Sequence, residues 1–548
     1  MLMLSLIIGA IVGLVVVAFI LLTGRLAARM YPSASPAWHR IFIPTLGALI
    51  TGYFLARFFP NARGSGIPQT KFALFINDGY ISLRTVLGKF FCCSASLASG
   101  IALGREGPSV QIGAGIASVL GRKFGLEREN VKALIPVGCS AALAAAFNTP
   151  IAAVLFSLEE ILGDLHAPVL GSVVISAATS WMVLHLILGD EPLFHVPAYH
   201  LVNPVEFLAY AVLGVVGGLA SVAFVKLLLN LRTRFMRLPG STAWIQPVVG
   251  GLTVGLLGWF QPEVLGVGYD FVERVLGGDL ALKTVALLAV LKIVATATCY
   301  ASGNAGGIFG PSLFIGAMVG GSLGSVVHHL FPAYTADPGA YALIGMGAAF
   351  AGIVRTPLTS VIMIFELTRD YSIIVPLMIS NLISFFVSYT LQREPIYEAL
   401  AHQEGVVLPT PEDREQLARM RVADVVEQGT TLQADTVLAS VVGDLQVSER
   451  RAWPVTRDGH MIGLLTDAAW KKAGPNALAG ELANARYPYV YPDQPLSLAL
   501  EKMGDYKLDL LPVVSRADTS QILGVVTLPA ILNAYGVGIS LPDSTEAL

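Results

Sequence analysis

The feature that most constrains this chain is a succession of apolar blocks running from Met1 to about Leu391 with only short breaks. The clear blocks lie near residues 4–22, 41–59, 85–103, 131–156, 169–188, 205–230, 245–260, 281–301, 341–365 and 372–391. Only 13% of the residues are charged, about half the share in an average soluble protein. We therefore predict a mostly α-helical integral membrane protein.

The ends of the blocks indicate how the chain lies in the membrane. The first block, Leu2 to Leu22, has no basic segment before it and no clear cleavage site. We interpret it as a membrane helix and not as a removed signal peptide. Arginines cluster after this block and after the block near 205–230, and the positive-inside rule places those connections in the cytoplasm. The compact loops favour a prokaryotic inner membrane.

Many blocks are interrupted by Gly, Pro or Asn, which is typical of transporters whose helices end inside the membrane. Three breaks share one form, a glycine-framed loop that ends in proline: GSGIP at 64–68, GREGP at 104–108 and GIFGP at 307–311. We expect each proline to start a helix, with Pro108 at the first helical position. Three converging helix N-termini would bind an anion through N–H donors alone. Such a site needs no full positive charge, which would hold the anion too tightly for release.

The second of these breaks carries Arg105 and Glu106 within a region of small apolar residues. Charged side chains at the bilayer centre cost roughly 2.5–3.5 kcal/mol each on insertion scales, so they are usually kept for function. A carboxylate matches a halide in charge, and it loses that charge when it binds a proton. Glu106 is therefore predicted to compete with an anion and to leave the site once protonated. The alternative is a structural carboxylate paired with Arg105.

The membrane region is duplicated. GPSVQIGAG at 107–115 matches GPSLFIGAM at 310–318, and Glu159 matches Glu366 further along, at an offset of 203–209 residues. Two homologous halves predict a pseudo-two-fold axis with a binding site at their interface. Because Glu159 has a repeat partner, a structural role is favoured for both glutamates.

The composition changes after about Arg393, where a polar linker precedes a region with two copies of one pattern. The copies contain RAWPVTRDGHMIGLLTDAAW at 451–470 and LDLLPVVSRADTSQILGVVTLPAIL at 508–532. Each has a Pro-Val strand, a turn, a second strand and a helix. This region resembles a tandem pair of α/β CBS domains. We place the linker at 402–420 and the two domains at 421–475 and 476–540.

The motifs of the membrane region, in their order and spacing, closely resemble the CLC family of chloride channels and proton-coupled chloride transporters. The resemblance implies a transport domain at 1–401 that holds an inverted repeat of short, tilted and broken helices. The half-repeats would cover about 1–200 and 201–401. It also implies a homodimer with one pathway per subunit and a cytoplasmic CBS tail. Chloride and protons would be the substrates, and no cofactor, metal, nucleic acid or enzymatic activity is expected.

The resemblance also implies roles for seven residues. Glu106 is similar to the external gating glutamate, and Glu160 is similar to the internal proton glutamate of the exchangers. Ser65 resembles the hydroxyl donor to the anion, and Tyr397 resembles the phenol that closes the site from the cytoplasm. The complete implied chloride-binding set is Ser65, Gly107, Ile308, Phe309 and Tyr397. Ser65 favours chloride, because relatives that prefer nitrate tend to have proline there.

Simpler roles stay open for three of these side chains. Ser65 is also suited to capping a helix, Tyr397 to a membrane-interface belt, and Glu160 to a solvated vestibule. Because Glu106 and Glu160 are both present, we expect chloride/proton exchange. The first alternative is a passive chloride channel of the same family, gated by voltage or pH through Glu106.

Two more remote functions are a CBS-linked membrane enzyme and a CBS-linked cation transporter. The sequence lacks the His-Glu-x-x-His motif of an intramembrane metalloprotease, and its breaks present N–H donors where a cation pathway needs oxygen ligands. In nucleotide-binding CBS domains, an aspartate three residues after a Thr or Ser contacts the ribose. Here Ala469 and Ala530 follow Thr466 and Thr527. Whether the pair binds a nucleotide therefore stays open, and a structural or dimer-stabilising role is favoured. The four cysteines have no metal-ligand spacing, so we expect them to pack in the core.

Overall fold

The structure is a computed structural model. It describes residues 1–32, 36–189, 193, 194, 196, 199, 202–278, 280–408, 419–429, 431–441, 451–473 and 476–535. The chain divides into two compact units, Met1–Leu408 and Pro409–Leu548, which we treat separately.

Apart from one isolated β-bridge, the regular secondary structure among the described residues of the first unit is helical. Its α-helices are α1 (Leu2–Met30), α2 (His39–Arg57), α3 (Ile67–Phe75), α4 (Leu83–Ala98), α5 (Glu106–Lys123), α6 (Arg128–Phe147), α7 (Pro150–Phe156), α8 (Leu170–Leu188), α9 (Glu206–Met236), α10 (Pro247–Phe260), α11 (Tyr269–Leu276), α12 (Leu282–Ala301), α13 (Phe309–Leu330), α14 (Pro338–Ile353), α15 (Pro357–Thr368), α16 (Ile374–Leu391) and α17 (Ile396–Gln403). Seven helical segments among the described residues are long and apolar enough to cross a membrane. The mostly α-helical membrane fold is confirmed.

Two of the predicted apolar blocks are each two helices. The block at 131–156 breaks between α6 and α7, and the block at 341–365 breaks between α14 and α15. The breaks lie at Asn148 and Arg355, which both adopt left-handed backbone conformations, with φ of 61° and 68°. A Thr-Pro pair follows each of them, and the proline begins the next helix because it needs no acceptor there. The break therefore recurs at the repeat offset.

The duplication is also visible in how the helices pack. A Cβ atom on Gly113 of α5 would lie 2.2 Å from the carbonyl oxygen of Gly138 of α6. In the second half, a Cβ atom on Gly316 of α13 would lie 2.3 Å from the carbonyl oxygen of Gly345 of α14. Both helix pairs are thus in direct backbone contact, which only small residues permit. The close glycine contact between neighbouring helices therefore occurs in both halves.

Two carboxylates bind helix N-termini across the two halves. Glu159 accepts hydrogen bonds from the Thr359 N–H at 2.8 Å and the Thr359 hydroxyl at 2.6 Å, at the start of α15. Glu366 accepts bonds from the N–H groups of Ile151 at 3.0 Å and Ala152 at 2.7 Å, at the start of α7. These N–H groups have no acceptor within their own helices. The contacts match the structural role that the repeat favours for both residues.

Replacing Glu366 with Ala is expected to destabilise the membrane unit. Loss of a capping carboxylate costs about 1 kcal/mol, and the dipole of α7 adds to that cost. We expect a lower melting temperature in detergent. Glu394→Ala is the control, because that side chain is 47% exposed and surface substitutions usually change the free energy of unfolding little. Equal melting temperatures for the two variants would contradict the capping role.

The second unit contains two similar β-hairpins. Strand β2 (Ala452–Arg457) pairs antiparallel with β3 (His460–Thr466), and β4 (Leu510–Val514) pairs antiparallel with β5 (Ile522–Thr527). A parallel neighbour joins each hairpin, β1 (Leu432–Gln433) beside β2 and Val490 beside β4. The helices of this unit are α18 (Asp467–Trp470), α19 (Ala479–Leu482), α20 (Leu496–Tyr506) and α21 (Leu528–Ala534). The predicted strand–turn–strand–helix pattern is present in both copies.

Parts of the predicted domain boundaries lie outside the described residues. They are 409–418 of the linker, 430, 442–450, 474 and 475 of the first CBS domain, and 536–540 of the second. The predicted boundaries therefore stay predictions.

Candidate functional site

The three Gly-Pro breaks meet in the first unit. Gly104 and Gly307, which are equivalent in the repeat, exchange two backbone hydrogen bonds of 2.7 and 2.8 Å as an antiparallel bridge. A Cβ atom on Gly66 would lie 2.4 Å from the carbonyl oxygen of Gly107. Likewise, a Cβ atom on Gly107 would lie 2.5 Å from the carbonyl oxygen of Ser65. Glycine is needed at these positions because the three loops are in backbone contact.

The helices that follow begin earlier than the sequence predicts. Helix α5 starts at Glu106 and α13 at Phe309, so Pro108 and Pro311 are third residues of their helices. The prediction of Pro108 at the first helical position is wrong. None of the N–H groups of the first turn has an intrahelical acceptor, so a residue without an N–H is tolerated throughout that turn. Glu106 consequently lies within the first turn and not before it.

The Glu106 side chain is fully buried, and its carboxylate lies against the N-terminus of the other half's helix. Oε2 accepts a hydrogen bond from the Gly310 N–H at 3.2 Å, and Oε1 accepts one from the Tyr269 hydroxyl. Arg105 Nε is 3.9 Å from Oε1 and has no hydrogen-bond partner among the described residues. Pairing with Arg105 is therefore long and indirect, whereas the helix N-terminus donates directly. The carboxylate occupies the kind of position that an anion would take.

Two buried hydroxyls of the predicted site are left without a well-oriented partner. Within the part of the chain that the structure describes, neither Ser65 Oγ nor the Tyr397 hydroxyl has a partner in good hydrogen-bond geometry, although the Tyr300 hydroxyl lies close to Ser65. Buried polar groups are nearly always bonded, so each such group in a native fold needs an explanation. A chloride ion accepts hydrogen bonds from hydroxyl and amide donors, and these residues fit such a ligand. The burial of Tyr397, only 1% exposed, also argues against a belt position at the membrane surface.

Ile308 and Phe309 lie at the start of α13, as the amide donors of the predicted site should. Ile308 is the N-cap residue and Phe309 is the first helical residue, and both are buried. The Phe309 ring contacts three other phenylalanine rings at centroid distances of 4.8, 5.5 and 4.3 Å: Phe147, Phe156 and Phe350. Where the first half has the Glu106 carboxylate, the second half therefore has the Phe309 ring within an aromatic cluster.

Two buried lysines anchor the loops that lead into this site. Lys89 Nζ donates to the carbonyl oxygens of Ala62 at 3.0 Å and Gly64 at 2.6 Å. Lys292 Nζ donates in the same way to Val264 at 3.1 Å and Gly266 at 2.6 Å. The GSGIP loop therefore has a counterpart, GVGYD at 266–270, which the sequence analysis missed.

That counterpart supplies Tyr269, a contact of Glu106 with no role in the sequence analysis. Its equivalent in the first half is Ile67, so the side chains share no chemistry and only the glycines match. The matching lysines, at the offset of the other repeats, were the signal that would have located the second loop.

Glu160 lies at a second, separate position. It belongs to a π-helical segment, Ser157–Leu162, and it is 8% exposed. Lys71 Nζ of α3 donates to its carboxylate at 2.9 Å and lies 3.9 Å from Glu398, the residue after Tyr397. A simple solvated carboxylate does not fit this burial and ion pair. Sequence reasoning did not select Lys71, although a lone cation three residues after Pro68 was visible.

The Tyr397 hydroxyl lies between the two glutamates in electrostatic terms. It is near enough to Glu160, Tyr300 and Glu106 for each of them to influence it. The structure therefore brings Ser65, Gly107, Ile308, Phe309 and Glu106 into one cluster, with Tyr397 coupled to that cluster and to Glu160.

A cavity of about 630 Å³ adjoins the Ser65 loop. Its lining includes Arg63, Gly64, Arg232, Tyr300 and Glu404. Arg232 and Glu404 form an ion pair of 2.5 Å, which leaves the Arg63 guanidinium as the further charge on the wall. The cavity is thus a water-accessible, positively charged space beside one of the predicted anion donors.

Comparisons with known proteins agree with this geometry. The voltage gated chloride channel family matches residues 46–389, and the CBS domain family matches residues 479–536. A ClcB-like chloride channel protein of Ralstonia nicotianae is 34% identical over 383 residues, covering 69% of this chain and 89% of that protein. The H(+)/Cl(-) exchange transporter ClcA of Vibrio cholerae (strain M66-2) is 33% identical over 386 residues, covering 67% and 80%.

Solved structures show the same architecture. A slow cyanobacterial Cl-/H+ antiporter superposes with a TM-score of 0.68 at 28% identity, covering 74% of this chain and 97% of its own. A eukaryotic CLC transporter superposes with a TM-score of 0.67 over 96% of this chain and 97% of its own. At 20% identity, the second comparison concerns the fold alone.

Proposed function

Because this chain belongs to the voltage-gated chloride channel family, known as the CLC family, we propose that it is a chloride/proton exchange transporter. The observation that carries the proposal is the Glu106 carboxylate, which accepts the Gly310 N–H at the N-terminus of α13. A proton acceptor is thereby held where an anion would bind. Named H(+)/Cl(-) exchange transporters are among the relatives at 33% identity.

The proposed exchange follows from competition at that N-terminus. The ionised Glu106 carboxylate satisfies the free N–H groups of α13 and excludes chloride from them. Protonation removes the charge and the advantage of that contact, so the side chain leaves and chloride takes its place. When Glu106 releases its proton, the carboxylate displaces chloride again. Each cycle then moves an anion and a proton in opposite directions.

We assign chloride coordination to a set of five residues: Ser65, Gly107, Ile308, Phe309 and Tyr397. The two hydroxyls have no other partner in good hydrogen-bond geometry among the described residues, and the amides belong to helix N-termini. Glu160 would exchange protons with the cytoplasm, and the Lys71 ammonium at 2.9 Å would hold its carboxylate in place. We assign the Tyr397 hydroxyl to the region between the chloride site and Glu160, because Glu106 and Glu160 both influence it electrostatically.

The proposal is tested with purified protein in liposomes. A chloride gradient is imposed, valinomycin and potassium set the voltage, and the external pH is recorded. We expect protons to move uphill, driven by chloride, with a reversal potential displaced from the chloride equilibrium value. Chloride flux that moves no protons would refute exchange and would favour the passive channel.

Replacing Arg63 with Gln is expected to slow chloride flux several-fold at low ionic strength. The Arg63 charge on the cavity wall raises the local chloride concentration beside Ser65, and salt screens that effect over about 10 Å at 0.1 M. In planar bilayers, the deficit should shrink as an impermeant salt is added. Arg237→Gln is the control, since Arg237 is exposed and does not line the cavity. A deficit that is independent of salt would rule out steering by Arg63.

The proposal extends to the setting of the protein, which is an integral membrane protein. We place it in a prokaryotic inner membrane as a homodimer. We place the CBS region in the cytoplasm, because the arginines near the C-terminal ends of α1 and α9 mark those ends as cytoplasmic. We assign the transport domain to 1–401, the linker to 402–420 and the CBS domains to 421–475 and 476–540. The CBS region would stabilise the assembly, since both copies lack the ribose-binding aspartate.

A further inference from the structure

Tyr269 contacts the proposed gate from the opposite half of the repeat. Its hydroxyl donates to Glu106 Oε1 while the Gly310 N–H donates to Oε2 at 3.2 Å. We propose that Tyr269 is a positioning residue that holds Glu106 in the anion site and sets the pH at which the carboxylate leaves it. This inference rests on the proposed gating function of Glu106.

The Tyr269 ring is held rigidly, so its hydroxyl has little freedom to follow the carboxylate away from the site. Phe194 packs edge-on against the ring at a centroid distance of 5.4 Å, and the Arg105 guanidinium lies 5.6 Å from its centroid on another side. The backbone is fixed as well, because Tyr269 is the first residue of α11 and Lys292 binds the loop before it through the Gly266 carbonyl at 2.6 Å. A donor fixed in this way favours one carboxylate position.

The other charged and titratable groups around Glu106 are few. Arg105 lies beside it at the start of α5, with Nε 3.9 Å from Oε1. From α13 the contact is the Gly310 backbone, which does not titrate. From α17 the Tyr397 hydroxyl acts electrostatically. Tyr269 therefore supplies the side-chain hydrogen bond to the carboxylate.

A phenol that donates to a carboxylate stabilises the ionised form over the protonated form. The bond thus opposes proton uptake by Glu106 and its departure from the site. It also helps the carboxylate to compete with chloride for the N-terminus of α13. Without the hydroxyl, Glu106 should accept a proton at a higher pH and yield to chloride at a lower chloride concentration.

The test is Tyr269→Phe, which keeps the ring and its packing and removes only the hydroxyl. In proteoliposomes, we expect the midpoint of chloride flux against external pH to move upward by about one pH unit. The ratio of chloride to protons should be retained. In a Glu106→Gln background, adding Tyr269→Phe should produce no shift, because the titrating group is gone.

The matched control is Tyr341→Phe. The Tyr341 hydroxyl donates to another buried carboxylate, Glu206, at 3.0 Å, away from the three breaks. Its loss should leave the pH midpoint unchanged even if stability falls. A second variant tests the sign without removing the bond: 3,5-difluorotyrosine at position 269 is a stronger donor of nearly the same shape, and it should move the midpoint downward.

Several outcomes would overturn the proposal. They are an unchanged midpoint in Tyr269→Phe, an upward shift with difluorotyrosine, or a shift of equal size in the Glu106→Gln background. These differ from failure of the proposed function, in which Glu106→Gln itself would keep proton coupling. If Tyr269→Phe does not fold, the difluorotyrosine protein still decides the matter.

Discussion

Replacing Glu106 with Gln is expected to abolish proton transport while chloride continues to cross the membrane. The amide keeps the size of the side chain and cannot carry a proton as a carboxyl does. It also has no charge, so it gives up the hold that the carboxylate has on the α13 N-terminus. Proton movement in a pH-electrode assay should fall to that of protein-free liposomes.

The same variant should change how chloride flux depends on pH. With the titrating carboxylate gone, chloride flux should no longer depend on external pH, whereas we expect the flux of the unmodified protein to rise when the external solution is acidified. Glu366→Gln serves as the matched control, because that carboxylate caps α7 and does not approach the three breaks. Proton coupling that survives in Glu106→Gln would remove Glu106 from its proposed role.

The second large effect is expected for Glu160→Val. Proton transport should again be lost, because the acceptor on the cytoplasmic side is missing. Chloride binding, measured by isothermal titration calorimetry, should persist because Ser65, Ile308 and Phe309 are untouched. The passive channel alternative predicts no effect on coupling, since there would be none to lose.

Glu160→Val is also expected to destabilise the protein, because it leaves the buried Lys71 ammonium without its carboxylate partner at 2.9 Å. Its remaining carboxylate neighbour is Glu398 at 3.9 Å. An uncompensated buried charge costs about 3–5 kcal/mol when its partner is deleted. Glu160→Gln, which offers Lys71 an amide oxygen, and the double variant Lys71→Met with Glu160→Val therefore accompany it. If the folded double variant still pumps protons, Glu160 is not the internal acceptor.

The site could be predicted from the sequence where backbone chemistry decides it. Glycine and proline at 64–68, 104–108 and 307–311 prescribe loops that end in helix N-termini, and these loops are in contact in the structure. The family and the mostly helical fold are confirmed. The assignments to Glu106, Glu160, Ser65, Gly107, Ile308, Phe309 and Tyr397 stay predictions that the geometry supports.

Other features depend on tertiary contacts that no local pattern carries. Just before the start of α5, Gly104 pairs with Gly307, which is far away in sequence, and no local pattern predicts that contact. Tyr269 and Lys71 escaped notice because their partners, Glu106 and Glu160, lie on other helices. The Gly266–Gly268 loop was hidden since its side chains differ from those of Gly64–Gly66. The two glycines of each loop and the buried lysines that bind the backbone carbonyls preserve the likeness.

The reciprocal capping by Glu159 and Glu366 has a consequence for biogenesis. The N–H groups of Ile151 and Ala152 find their acceptor 215 and 214 residues later in the chain. During synthesis, the N–H groups at the start of α7 therefore lack this acceptor until Glu366, in the second half, has been translated. A lone half is therefore an incomplete insertion product. The caps of α7 and α15 can form only when the two halves assemble, and not when either half inserts alone.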